Sequence, residues 1–237
     1  MLDFQKIHAR AAKRKGGEAV LAPLLGPVPD NMTVAKITDD RILSTMAERI
    51  FAAGFVWRVI EQKWPGFEDA FLGFEPKRLL FQPDDFWHEL ASDSRIVRNP
   101  QKIKSVRDNA AFVDRVSKEH GSFGKFIAGW PADDQVGLTA YLAKHGSRLG
   151  GNTGQYFLRW LEWDTFVVST DMAAALRDAG LDIAENPTSK RDLDKIQAQI
   201  NQWSAETGLP RRHLSRILAM SIGENRSAEA LREYMGD

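Results

Sequence analysis

Residues 148–158, RLGGNTGQYFL, set Gly150, Gly151 and Gly154 around Asn152 and Thr153, between the helical segment GLTAYLAKHGS and an aromatic, helix-like run. Backbone N–H groups at a helix N-terminus attract an anion, and glycines let a phosphate approach them closely. The same residues also fit a tight turn between two packed helices. Acidic side chains stand at Glu48, Asp164 and Asp171. Indoles that can hold a planar or cationic group stand at Trp57, Trp64, Trp87, Trp160 and Trp163. Each has a structural counterpart. Trp57 lies among Phe55, Val59 and Ile60 and fits a core, Glu48 fits a solvated helix face, and Asp171 before MAAAL fits a helix N-cap. Arg95, Arg98, Lys102, Lys104 and Arg107 form a basic run beside NPQ, suited to phosphates or to a solvated helix face.

The elements that must position these residues read as helices almost throughout. Ile42, Leu43, Met46, Ile50, Phe51, Val56, Val59 and Ile60 recur at three- and four-residue intervals. They predict one long amphipathic helix or two with a bend near Gly54, ended by Pro65 and Gly66. Shorter periodic segments follow, bounded by Gly, Pro, Asn or Asp. Asn186 to Ser189 marks a loop, with Ser189 or Asp192 capping the next helix, and a last helix over PRRHLSRILAMSI precedes a fraying charged tail. TFVVST alone has strand propensity and equally fits a buried entry to a helix. Residues 16–37 read as an irregular arm or linker. The spacing of GGNTG, and the helical segment before it, exclude the dinucleotide-binding turn, which must follow a strand.

The 237 residues carry 32 Lys plus Arg against 32 Asp plus Glu, so no global field draws the chain to nucleic acid or to an anionic membrane, and any basic surface is local. With no cysteine, disulfides and thiolate metal sites are excluded. His8, His88, His120, His145 and His213 show no close pairing, so no metal is expected. No run approaches the ~18 apolar residues of a spanning helix. The expectation is a cytoplasmic protein without cofactor or membrane partner; oligomeric state is not legible.

Four stretches in order resemble the helix-hairpin-helix DNA glycosylases, and among them the 3-methyladenine DNA glycosylase I group: FAAGFVWRVIEQKWPGFEDAFLGFEP, SDSRIVRNPQKIKSVRDNA, RLGGNTGQYFL and WDTFVVSTDMAAALRDAGL. Together they cover roughly residues 40–181. The last is more similar to the wider superfamily than to that group. The resemblance implies an all-α, two-lobed helical bundle with the hairpin motif near residues 138–163 and a cleft between the lobes. It implies one domain over 1–237, with 1–37 an irregular N-terminal arm and 188–237 supplying C-terminal helices packed on the second lobe. The implied activity is monofunctional base excision: the N-glycosidic bond of an alkylated purine such as 3-methyladenine in double-stranded DNA is hydrolysed after base flipping. A non-catalytic DNA-binding protein is the alternative, and an interaction protein that never touches DNA is a third reading.

The resemblance assigns Trp57, Glu48 and Trp160 to the base, and Gly150, Gly151, Asn152, Thr153, Gly154, Arg98 and Lys102 to DNA. Asp171 is the first choice of catalytic carboxylate, with Glu48 and Asp164 behind it. Three departures stand out. The group's zinc site of two Cys and two His is missing. The glutamate that recognises the base, eight residues before the pocket tryptophan, aligns with Arg49, and Glu48 lies one residue, or about 100° of helix, earlier. Either the helix shifts locally to bring Glu48 into the pocket, or recognition has changed. The superfamily's aspartate slot holds Ser169, with Asp171 two residues later. Strand-cutting members carry a lysine just past the hairpin glycines, where this chain has Gln155, an amide unable to form a Schiff base.

Overall fold

A computed structural model describes residues 3–235, so the outermost two residues at each end of the expected arm and tail lie outside the described residues. In chain order the helices are α1 (Phe4–Lys15), α2 (Glu18–Leu21), α3 (Asn31–Val34), α4 (Asp39–Ala52), α5 (Trp57–Ala70), α6 (Pro76–Leu80), α7 (Asp84–Leu90), α8 (Pro100–His120), α9 (Phe123–Ala128), α10 (Gln135–His145), α11 (Asn152–Trp160), α12 (Thr170–Asp178), α13 (Lys190–Thr207), α14 (Arg211–Ser221) and α15 (Ala228–Met235). No strand occurs among the described residues, so the fold is all-α. The chain divides into two compact units. One comprises residues 1–29, 132–136 and 164–237, the other 30–131 and 137–163.

The unit formed from the middle of the chain is organised by α4 and α8. The apolar stripe of α4 buries Ile42, Leu43, Met46, Ala47, Ile50 and Phe51 against Ile103, Val106, Ala110 and Val113 of α8. Each Val, Leu, Ile, Met or Phe among them contributes about 1.5–3 kcal/mol by leaving water. The apolar run breaks in two at Gly54, which has φ +77° and needs no β-carbon there. The predicted stripe ends with the break: Val56 and Val59 are exposed, and only Ile60 continues into the core. Pro65 does not end the second helix, which runs on to Ala70. Trp64 carries it past the proline, stacking on Phe67 and Phe74 at 4.9 and 5.5 Å while its Nε1 donates to Glu68 at 3.1 Å. Gly66 lets the backbone at Arg95 pass so closely that a β-carbon would stand 2.8 Å from its carbonyl oxygen.

The other unit packs α14 against α1 and α12 around Phe4, Leu24, Met172, Leu176, Trp203, Leu214 and Leu218. The expected irregular arm is largely structured. α1 carries its first residues, and α2, a single 3-10 turn over Ala22–Leu25 and α3 interrupt the stretch 16–37. Likewise the expected fraying tail contains α15. TFVVST takes the helix-entry option. Residues 165–168 are buried without sheet partners, and Gln135 substitutes for a neighbouring strand: its Oε1 accepts from Phe166 N and Thr165 Oγ1, both at 2.8 Å, and its Nε2 donates to Phe166 O at 2.8 Å.

Candidate functional site

The glycine-rich stretch joins α10 to α11 as a helix-hairpin-helix. Gly154 is buried in the first turn of α11, where a β-carbon would lie 2.4 Å from Leu149 O, so the turn closes only with glycine. Gly151 is the N-cap residue, at φ +57° and ψ −140°, and no side chain caps α11. Gly150, Gly151 and Asn152 are exposed, Thr153 is half-buried, and a β-carbon on Gly151 would meet nothing within 4 Å. The α11 N-terminus is thus an uncapped, open end of a helix dipole, which favours an anion.

A residue the sequence reading missed fixes this hairpin. Asn109 of α8 is buried and clasps Ser147, donating from Nδ2 to Ser147 O at 3.0 Å and accepting from Ser147 N at 2.7 Å. Its signal was present: an amide on the stripe of Val106, Ala110 and Val113 cannot sit in a core without a partner. Arg148, at φ +60°, is held by a hydrogen bond to Gln101 Oε1.

Lys102, expected at a phosphate, is engaged inside the fold. It is 6% exposed, and its ammonium donates to Phe51 O at 3.1 Å and Ala53 O at 2.7 Å, the open carbonyls where α4 ends. Burial, reinforced by the charge of Arg148, pulls its pKa below the usual lysine range. It also lies 4.8 Å from the Phe55 ring centroid and so pins the turn between α4 and α5. Most of the basic run is likewise committed: Arg95 pairs with Asp93, Lys104 with Asp108 and Arg107 with Asp84, whereas Arg98 is exposed. Trp57, at the first position of α5, lies outside the core cluster, and beside it Phe55 and Val56 are 47% and 66% exposed.

Glu48 and Arg49 form an ion pair between adjacent residues of α4, whose helix runs without interruption from Asp39 to Ala52. No local shift turns Glu48 inward. Arg49 instead lays its guanidinium 4.0 Å from the ring centroid of Trp160, at the end of α11. Its side chain is 12% exposed, and burial draws its pKa down against the opposing carboxylates of Glu48 and Glu61.

The other carboxylates belong to the second unit. Asp171 does not cap α12; Ser169 does, its hydroxyl accepting from Met172 N at 3.1 Å. Asp171 is half-buried, with its carboxylate packed against the α-carbon of Gly223. Asp164 closes the N-terminus of α14, accepting from Arg211 N at 3.1 Å, Arg212 N at 2.9 Å and Arg211 Nη1 at 3.3 Å. Gln155, in the slot where a lysine would form a Schiff base, is buried. No group of three or more His, Asp or Glu suited to a metal ion occurs among the described residues.

Residues 32–144 match the family model for methyladenine glycosylase. The 3-methyladenine DNA glycosylase I of Staphylococcus aureus is similar at 22% identity over 53% of this chain and 77% of that one, with a TM-score of 0.48. The 8-oxoguanine glycosylase/lyase of Methanocaldococcus jannaschii, solved with a 15mer DNA containing 8-oxoguanine, is 12% identical over 90% of this chain and 95% of that one, with a TM-score of 0.52. That last likeness extends over both units and concerns the fold. Residues 32–144 therefore match the methyladenine glycosylase model, and the chain shares the all-helical fold of the 8-oxoguanine glycosylase/lyase.

Proposed function

We propose that this protein removes a modified purine from double-stranded DNA by hydrolysing its N-glycosidic bond, leaving an abasic strand. The observation that carries the reading is the open α11 N-terminus, closed behind by Gly154 and clasped by Asn109, within the unit that holds most of the family domain. The exposed N–H groups of the hairpin bind a backbone phosphate, with Asn152, Thr153 and Arg98 around it. Phe55 and Val56, on a turn stiffened by Lys102, supply an apolar wedge that fills the stack when a nucleotide leaves it. Trp57 and Trp160 supply aromatic faces for the extruded base.

Hydrolysis passes through an oxocarbenium-like sugar, which a carboxylate stabilises while guiding water. Asp171 is assigned that role because neither of its oxygens accepts a hydrogen bond among the described residues, whereas Glu48 is held by Arg49 and Asp164 by the backbone of α14. Alkylated purines are the first substrate class to test. Purified protein is incubated with methylated duplex DNA and the released bases are separated by chromatography. Released purine supports the reading. Salt-dependent duplex binding without release, from this DNA and from a duplex carrying hypoxanthine, supports the non-catalytic alternative, and absence of binding and release on both overturns a DNA role.

A further inference from the structure

The pair formed by Arg49 and Trp160 bears on which modified purine is taken. Trp160 is 42% exposed, so its ring is accessible, yet a fixed cation already stands over it. A purine methylated at a ring nitrogen is itself cationic while attached to its sugar. It would bring a second positive charge to a face whose attraction for cations is already engaged. Glu48 and Glu61 keep Arg49 charged against its burial, but they do not exhaust its donors. Among the described residues the guanidinium's one hydrogen bond is from Nη2 to Glu48; Nε is buried out of a ligand's reach, and Nη1 is the donor left to meet one. A guanidinium has five N–H donors and no acceptor, so what completes it must offer lone pairs. An uncharged purine does so through a carbonyl oxygen or an unsubstituted ring nitrogen.

From this arrangement we infer that Arg49 is a specificity-determining residue, selecting an uncharged, acceptor-bearing purine over a cationic one. The inference rests on the proposed base-binding role of Trp160 and narrows the substrate class given above. Uncharged lesions such as O-methylated or deaminated purines are favoured over 3-methyladenine and 7-methylguanine.

The test compares binding to two otherwise identical duplexes, one with a single hypoxanthine and one with a single 7-methylguanine, for the intact chain, Arg49→Gln and Arg49→Lys. The intact chain is expected to bind the hypoxanthine duplex at least tenfold more tightly. Arg49→Gln is expected to bring the ratio close to one. Arg49→Lys keeps the charge but loses the planar fork, and should lose hypoxanthine affinity while still disfavouring 7-methylguanine. Equal affinities, or a preference for 7-methylguanine in the intact chain, overturn the inference whether or not the variants fold. Base release is scored separately. A tenfold binding preference without release of either base leaves Arg49 as the selector and overturns hydrolysis instead.

Discussion

Lys102→Met tests whether this lysine holds the end of α4 or a phosphate. The substitution preserves most of the apolar stem and removes the ammonium from Phe51 O and Ala53 O. Phe51 O lies in the interior, and a buried carbonyl left without a donor costs about 1–3 kcal/mol. Ala53 is exposed, so water recovers its carbonyl at little cost. Loss of a cation at a helix C-terminus adds about 0.3–1 kcal/mol. Relief from burying a charge offsets part of the sum, leaving a destabilisation of about 2 kcal/mol. For a chain of this size that lowers Tm by roughly 4–8 °C, read by circular dichroism at pH 7.

The pH dependence has a defined sign. The pKa of Lys102 is depressed in the folded chain, so the unfolded chain binds more protons between that value and 10.5. Stability attributable to this group therefore rises with pH through that window, and the methionine variant lacks the rise. A variant with unchanged Tm and weakened DNA binding would refute the reasoning and restore the phosphate contact.

Gly151→Val places a β-branched residue at φ +57°, which costs about 1–3 kcal/mol in strain, and puts a side chain where the phosphate should sit; duplex affinity should fall by more than the thermal shift explains, and normal affinity would make the hairpin a connector. Trp57→Ala should leave Tm nearly unchanged, because Trp57 lies outside the core, and lower base release strongly while sparing non-specific DNA affinity; unfolding would return Trp57 to a packing role. Because Gln155 stands where the Schiff-base lysine would be, borohydride added during turnover should trap no protein–DNA adduct, and a stoichiometric adduct would exclude monofunctional chemistry.

Much of the helical pattern was legible because α4, α8 and α14 carry strong apolar stripes. The misreadings have physical causes. Pro65 ended a pattern on paper, but Trp64 stacks across it and the helix continues. Val56 and Val59 fitted the period of α4, yet the bend at Gly54 rotates them to the surface. The charge of Lys102 points to solvent or a phosphate, yet its place in the first turn of α8 brings it to the end of α4. The hairpin was legible from its glycines, whose steric demands are local. Its clasp by Asn109 and the stacking of Arg49 on Trp160 join residues whose pairing no local pattern specifies, whereas the capping of α12 by Ser169 is a local serine N-cap.

The most direct test of base excision is a duplex carrying one modified purine, incubated with the protein and analysed on a denaturing gel before and after hot alkali. The account predicts a strand that stays whole until alkali cleaves it at the modified position, with an equal amount of free purine in the supernatant. A strand that resists alkali while the protein saturates the duplex would contradict it.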